Sequence, residues 1–133
     1  MANVVFPKYK EAVYSGAADS SLMAGNVKVA LLDTDVYTYA AAHQFQSDLT
    51  GVIALSANLT TVTVTNGVLD ADDAVLPSVS GAESEALALF IDTGTPATSR
   101  LVAFLDTGVT GMPITPNGSN INIQWNASGI LAF

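Results

Sequence analysis

Two apolar runs stand out in the pattern of hydrophobic and polar positions, residues 85–94 and 100–108, and both stop at the same triplet, Asp-Thr-Gly. Successive side chains of a strand point to opposite faces. In the first run Ala86, Ala88 and Phe90 therefore share one face, and Leu87, Leu89 and Ile91 share the other. In the second, Leu101, Ala103 and Leu105 oppose Val102 and Phe104. Neither run has a polar face, which predicts cover on both sides. The connection between them contains Pro96, which has no backbone N–H and cannot extend a ladder. The pattern predicts two antiparallel strands at the centre of a sheet, with the rest of the chain built around them.

The remaining elements are shorter. Residues 7–14 read as a short helix, with Pro7 tolerated in the first turn and Gly16 as a stop. Ahead of it, Val4, Val5 and Phe6 read either as an extended arm or as a frayed tail. Residues 1–24 are thus an N-terminal arm and short helix, and residues 25–133 a single β domain. Residues 27–34 form a strand with Val27, Val29 and Leu31 on one side and Lys28 and Ala30 on the other. Residues 37–51 have no clean period and fit a long loop or a helical turn at Ala40–His43; Val52–Leu55 is a short strand. Val62 and Val64 alternate with Thr61, Thr63 and Thr65, and Asn66-Gly67 supplies a type I′ hairpin turn, predicting valines inward and threonines outward. A turn at Asp70–Asp73 leads to a strand over 74–79 that Pro77 pushes to an edge or a bulge. Residues 109–118 are loop, dense in Pro and Gly. Residues 120–126 place Ile121, Ile123 and Trp125 inward, and residues 129–133 close the chain as a strand that ties down its end. Seven to nine short strands and at most one short helix predict an all-β, antiparallel sandwich or jelly-roll-like barrel, whose strand order is not legible.

Composition narrows the function classes. At 133 residues the chain suits one domain. Half of it is apolar, yet no run approaches the roughly 18 residues of a membrane-spanning helix. Residues 1–10 lack the features of a signal peptide, so export by that route is not expected. There is no cysteine, which excludes disulfides and thiolate metal sites. Four basic against twelve acidic residues, net charge −8, argue against nucleic-acid binding. Only 12% of residues are charged, against about 25% in an ordinary soluble domain, with Thr, Ser and Asn in their place. So apolar and weakly charged a chain is expected to cover further surface by assembly.

Candidate chemistry is sparse. Aspartic proteases carry Asp-Thr-Gly on a loop after a strand and pair two carboxylates over one proton. Here Asp92 and Asp106 each open such a triplet, and Asp33-Thr34 is a near-copy. Two antiparallel neighbours end at opposite edges of their sheet, so Asp92 and Asp106 are predicted to stay apart and to serve as turn caps. Asp70, Asp72 and Asp73 suggest calcium, but the Gly and distal Glu of an EF-hand loop are missing, and an acidic turn fits better. His43 is the only histidine and is expected in a loop; no Gly-x-Ser-x-Gly elbow surrounds any serine. Asn58, Asn117 and Asn126 match the glycosylation pattern without a secretory context. Tyr9, Tyr14, Tyr37, Tyr39 and Trp125 are too scattered for a sugar or base platform and point to core or interface packing. A cleft lined with aromatics and carboxylates is not expected. Arg100, the only arginine, suits a partner carboxylate, an intersubunit contact or solvent. No catalytic residue, cofactor or metal is expected.

Taken as a set, residues 28–34, 67–73, 79–81, 85–87, 92–95, 98–101, 115–118 and Trp125 give the chain a resemblance to small virion structural proteins of tailed bacteriophages. The resemblance implies a setting rather than a catalytic site. It implies a head decoration (cement) protein on the outer surface of the capsid, assembled in the bacterial cytoplasm and bridging subunits of the major capsid protein. A homotrimer at local threefold positions suits that job, with no nucleic-acid or membrane partner. Val4, Val5, Phe6, Tyr9 and Arg100 are then the candidate interface, the arm adding to a neighbouring sheet edge. A tail, collar or fibre-associated component is the alternative, and a carbohydrate-binding or hydrolytic β domain a third reading from another class.

Overall fold

The two apolar runs become β7 (Ala86–Asp92) and β8 (Arg100–Leu105), antiparallel neighbours paired from Leu87↔Leu105 to Ile91↔Arg100. Both are covered on both faces: Ala86–Ile91 and Leu101–Leu105 are buried throughout. The computed structural model that gives this arrangement describes residues 3–107 and 109–132. Met1, Ala2, Gly108 of the second triplet and Phe133 of the expected closing strand lie outside the described residues.

Around this pair the chain lays down β1 (Val4–Val5), α1 (Pro7–Tyr14), β2 (Asn26–Leu32), a 3₁₀ turn (Gln46–Asp48), β3 (Val52–Leu55), β4 (Thr63–Thr65), β5 (Val68–Asp70), β6 (Ala74–Leu76), β9 (Ile121–Ile123) and β10 (Leu131–Ala132). The architecture is all-β and antiparallel, with one short helix near the N-terminus. A five-stranded sheet has the order β1-β8-β7-β2-β3; beside it lie a three-stranded sheet, β10-β5-β4, and a pair, β6-β9. Among the described residues the ten strands exceed the seven to nine expected because β1, two residues long, carries too little pattern to be told from an arm or a tail.

Residues directly opposite across antiparallel strands share a face. The pairs Lys28↔Phe90, Ala30↔Ala88, Leu32↔Ala86 and Ala88↔Phe104 therefore define one face of the large sheet. Three alanines in its middle leave room for bulky cover. The loop after β2 supplies it: the Tyr37 and Tyr39 rings lie 5.9 and 5.8 Å from the Phe104 ring, and Phe6 lies 5.3 Å from Tyr39. From the smaller sheets, Leu69, Leu76, Ile121, Ile123 and the neighbouring Trp125 join the same core, making the fold sandwich-like.

Helix α1 starts at Pro7 and ends at Tyr14, before Gly16 at φ +67°, as its sequence predicts. The hairpin turn is also as predicted, with Asn66 and Gly67 at φ +53° and +77°, the two left-handed positions of type I′. Its inward face is so only in part: Val62 packs against the core, but Val64 is 40% exposed on β4, the outer strand of its sheet. The N-terminal segment is no separate arm within the chain. Val4 and Val5 pair with Phe104 and Ala103, and the Phe6 N–H donates to the Val102 carbonyl at 2.9 Å.

Candidate functional sites

The Asp-Thr-Gly pair is held apart as the topology requires. At one end of β7, Asp92 takes a 2.8 Å ion pair from Lys28 and a 3.0 Å hydrogen bond from the Gly94 N–H. The Lys28 ammonium and that amide hold its carboxyl below the usual carboxylate range. At the opposite end, the Asp106 and Thr107 amides donate to Asn3 Oδ1 at 2.7 and 2.9 Å, and Asn3 Nδ2 donates back to the Thr107 carbonyl at 2.9 Å. These two aspartates form no dyad.

The acidic turn also resolves into structural hydrogen bonds. Asp70 Oδ1 accepts from the Ala71 amide, Asp72 Oδ2 from the Thr60 and Thr61 hydroxyls, and Asp73 Oδ1 from the Trp125 amide. Among the described residues no group of three or more His, Cys, Asp or Glu side chains could hold a metal ion. The three glycosylation-pattern asparagines, Asn58, Asn117 and Asn126, are all exposed.

The residues expected at an interface divide. Val5, Phe6 and Tyr9 are buried in the chain's own core, because β1 pairs within the chain and the Tyr9 hydroxyl donates to the Ser20 carbonyl at 2.8 Å. Burial pushes the Tyr9 phenol up to about 12. Val4 is half-buried against that core. Arg100 is half-buried, and among the described residues no carboxylate pairs with it: its Nε donates to the Ala18 carbonyl at 2.8 Å, and its guanidinium lies 5.3 Å from the Phe45 ring centre. It ties the loop after α1 to the start of β8.

The tyrosines are less scattered than their spacing suggests. Tyr37, Tyr39 and Phe104 line a cleft of about 440 Å³ together with Thr34, Thr38, Glu85 and Asp106. This overturns the expectation that no cleft joins aromatics to carboxylates. Glu85 is fixed by its place at the mouth of β7: its amide donates to the Leu32 carbonyl at 3.1 Å, and its Oε1 accepts from the Thr34 amide and hydroxyl at 2.9 and 3.0 Å. The Tyr37 hydroxyl shares a 2.7 Å hydrogen bond with His43 Nδ1, which places the lone histidine half-buried in its loop. Burial, with Tyr39 and Asp48 nearby, pushes the Tyr37 phenol up to about 12, so it stays neutral at physiological pH. The repeated Asp-Thr was the one trace of the cleft in the sequence, and only the strand pairing gives it meaning. β2 and β8 both run antiparallel to β7, so they end on the same side, and the near-copy Asp33-Thr34 falls at the same end as Asp106.

A second recess, of about 620 Å³, lies between α1, the loop after it and the β4 hairpin, lined by Tyr9, Lys10, Val13, Tyr14, Met23 and Val64 among others. Around it Tyr14 is 88% exposed, with Met23, Val13 and Val64 at 61, 43 and 40%. Val36, Val52 and Leu55, at the β3 edge, form another exposed apolar group. In comparisons with known proteins, no family model matches the chain, and no curated protein matches it.

Proposed function

We propose that the chain is a non-enzymatic structural protein of a tailed-bacteriophage virion, a head decoration (cement) protein that bridges and stabilises major capsid protein subunits on the outer shell. The observation that carries this reading is the gathering of large apolar side chains on the surface of a weakly charged β domain, Tyr14, Met23, Val13 and Val64 in one group and Val36, Val52 and Leu55 in another. Apolar groups of this kind mark protein contacts, and a protruding tyrosine is a frequent anchor in them. A domain with two such groups can engage two neighbours, and many weak clamps add up by multivalency to resist the pressure of packaged DNA. Self-association into trimers on local threefold axes fits the same logic.

The test is to image the purified particle by electron cryomicroscopy and to count the chain against the major capsid protein by mass spectrometry. A near-stoichiometric ratio with density on the outer shell is expected. A few copies confined to the tail would replace this reading with a tail, collar or fibre role, and absence from the particle would end both.

The aromatic and carboxylate cleft favours a second reading, a carbohydrate-binding β domain. Carboxylates accept sugar hydroxyl protons, and aromatic faces such as that of half-buried Tyr39 stack on pyranose rings. Titration with a glycan panel, followed by Tyr39→Ala, separates it from the first: binding lost in the variant supports it, and no binding to any glycan removes it.

A further inference from the structure

The cleft at the ends of β2 and β8 is lined by charge of one sign: Glu85 and Asp106 border it, and among the described residues no lysine or arginine does. The basic side chains are engaged elsewhere. Lys28 pairs with Asp92 and sits opposite Phe90, while Arg100 sits opposite Ile91 and bonds the Ala18 carbonyl. Phe90 and Ile91 are five and six residues along β7 from Glu85, roughly 16–20 Å at the rise of a strand. Lys8 bonds Glu11, and Lys10 lines the separate recess beside α1.

The same lining is rich in acceptors and poor in free donors. The Thr34 hydroxyl and amide both spend their protons on Glu85 Oε1, at 3.0 and 2.9 Å, and the Tyr37 hydroxyl is engaged with His43 Nδ1 at 2.7 Å. The Thr34 bonds fix the Glu85 carboxylate and leave its Oε2 with no hydrogen bond among the described residues. A sugar asks for donors and acceptors together, whereas a cation asks for negative charge and π surface. The rings supply the π surface. Tyr37 and Tyr39 stand 5.9 and 5.8 Å from Phe104, tilted by 38 and 40°, so neither lies flat on it. Tyr39 is half-buried, with part of its ring open to the cleft. A hard metal ion fits poorly, since it takes about six to eight oxygen ligands and no suitable cluster exists among the described residues.

We propose that this cleft binds a small organic cation, an alkylated ammonium group on a short apolar body. The Glu85 carboxylate, held by Thr34, balances its charge, and the Tyr39 ring, with Tyr37 and Phe104 behind it, attracts its alkyl groups through the π face. The volume of about 440 Å³ is that of a small-molecule site. The cation competes with the sugar reading for the same cleft and is independent of the virion reading, which particle copy number decides.

The probe is choline, compared at constant ionic strength with its neutral isostere, in which a tert-butyl group replaces the trimethylammonium. Expected are millimolar binding of choline to the full chain, nuclear magnetic resonance shift changes at Thr34, Tyr39 and Glu85, and affinity about tenfold lower for the isostere. Glu85→Gln keeps an oxygen for the Thr34 donors but loses the charge, so it should weaken choline about tenfold and leave the isostere unchanged. Tyr39→Leu keeps apolar bulk without the π face and should also weaken choline. No choline binding at tens of millimolar, equal affinity for the two ligands, or shift changes away from the cleft overturns the proposal. So does a Glu85→Gln chain that melts and binds choline like the parent. The two-ligand comparison on the parent chain decides even where a variant fails to fold. A neutral glycan bound without any preference for choline would overturn the cation and leave the sugar reading standing; choline preferred with no glycan bound would do the reverse.

Discussion

Lys28 and Asp92 show how a single pair behaves at the margin of this core. Each side chain is about one quarter to one fifth exposed, at 25 and 21%, and they meet at 2.8 Å on the face that also carries Ala30 and Ala88. Because the folded carboxyl titrates below its unfolded value, the stability it contributes is present above about pH 4 and is lost as pH falls through the folded pKa. Asp92→Asn should therefore flatten the acid limb of a stability–pH curve measured by urea unfolding. The tyrosines act at the other extreme. Tyr9 and Tyr37 are both pushed up to about 12 by burial, so an unfolded chain releases their protons first. Stability is intact below about pH 10 and falls as pH rises from there through the folded values, a loss that Tyr37→Phe should reduce. Circular dichroism at graded alkaline pH reads both.

At the scale of elements, the central strand and the hairpin depend on different physics. β7 is a continuous apolar run buried on both faces, and Leu89 in it is fully buried. Leu89→Ala should cost about 2–5 kcal/mol in chemical unfolding, since a site between two covered faces cannot collapse around the cavity. In the β4–β5 hairpin Leu69 of β5 anchors the core while β4 is exposed throughout, so the placing of β4 rests on the turn. Gly67 sits at φ +77°, where a Cβ is penalised, so Gly67→Ala should cost about 1–2 kcal/mol. A loss within a few tenths of a kcal/mol of zero would show that the turn relaxes. β1 is the opposite case: two valines that suit a strand but are too few to form one alone, placed because the β8 edge offers unpaired groups and because Phe6 fills a core site beside Tyr39.

For the whole molecule, the decisive contrast is between apolar groups that the fold buries and those it leaves out. Tyr14→Ala removes a side chain 88% exposed, so its thermal midpoint should match the parent chain within about a degree, while its occupancy on particles should fall if the shell reading holds. Comparing melting curves with particle-bound copy number separates the two effects. Periodicity by itself determined the all-β class, the buried central pair, α1 between Pro7 and Tyr14, β3 at Val52–Leu55 and the turn at Asn66-Gly67. Each of these rests on local rules: alternation, a proline at a helix start, a pair of residues that accept positive φ. The antiparallel pairing of β7 with β8 also followed from a short connection, and with it the separation of Asp92 from Asp106. Tertiary structure alone decided what lay between distant segments. The order β1-β8-β7-β2-β3 joins residues as far apart as Val4 and Phe104. It turns Val5, Phe6 and Tyr9 inward, gathers Tyr37, Tyr39, Phe104, Glu85 and Asp106 around one cleft, and leaves the β3 edge open. Local pattern reports which face a side chain prefers; which partner covers that face is set by pairing over long sequence separation, which no local window contains.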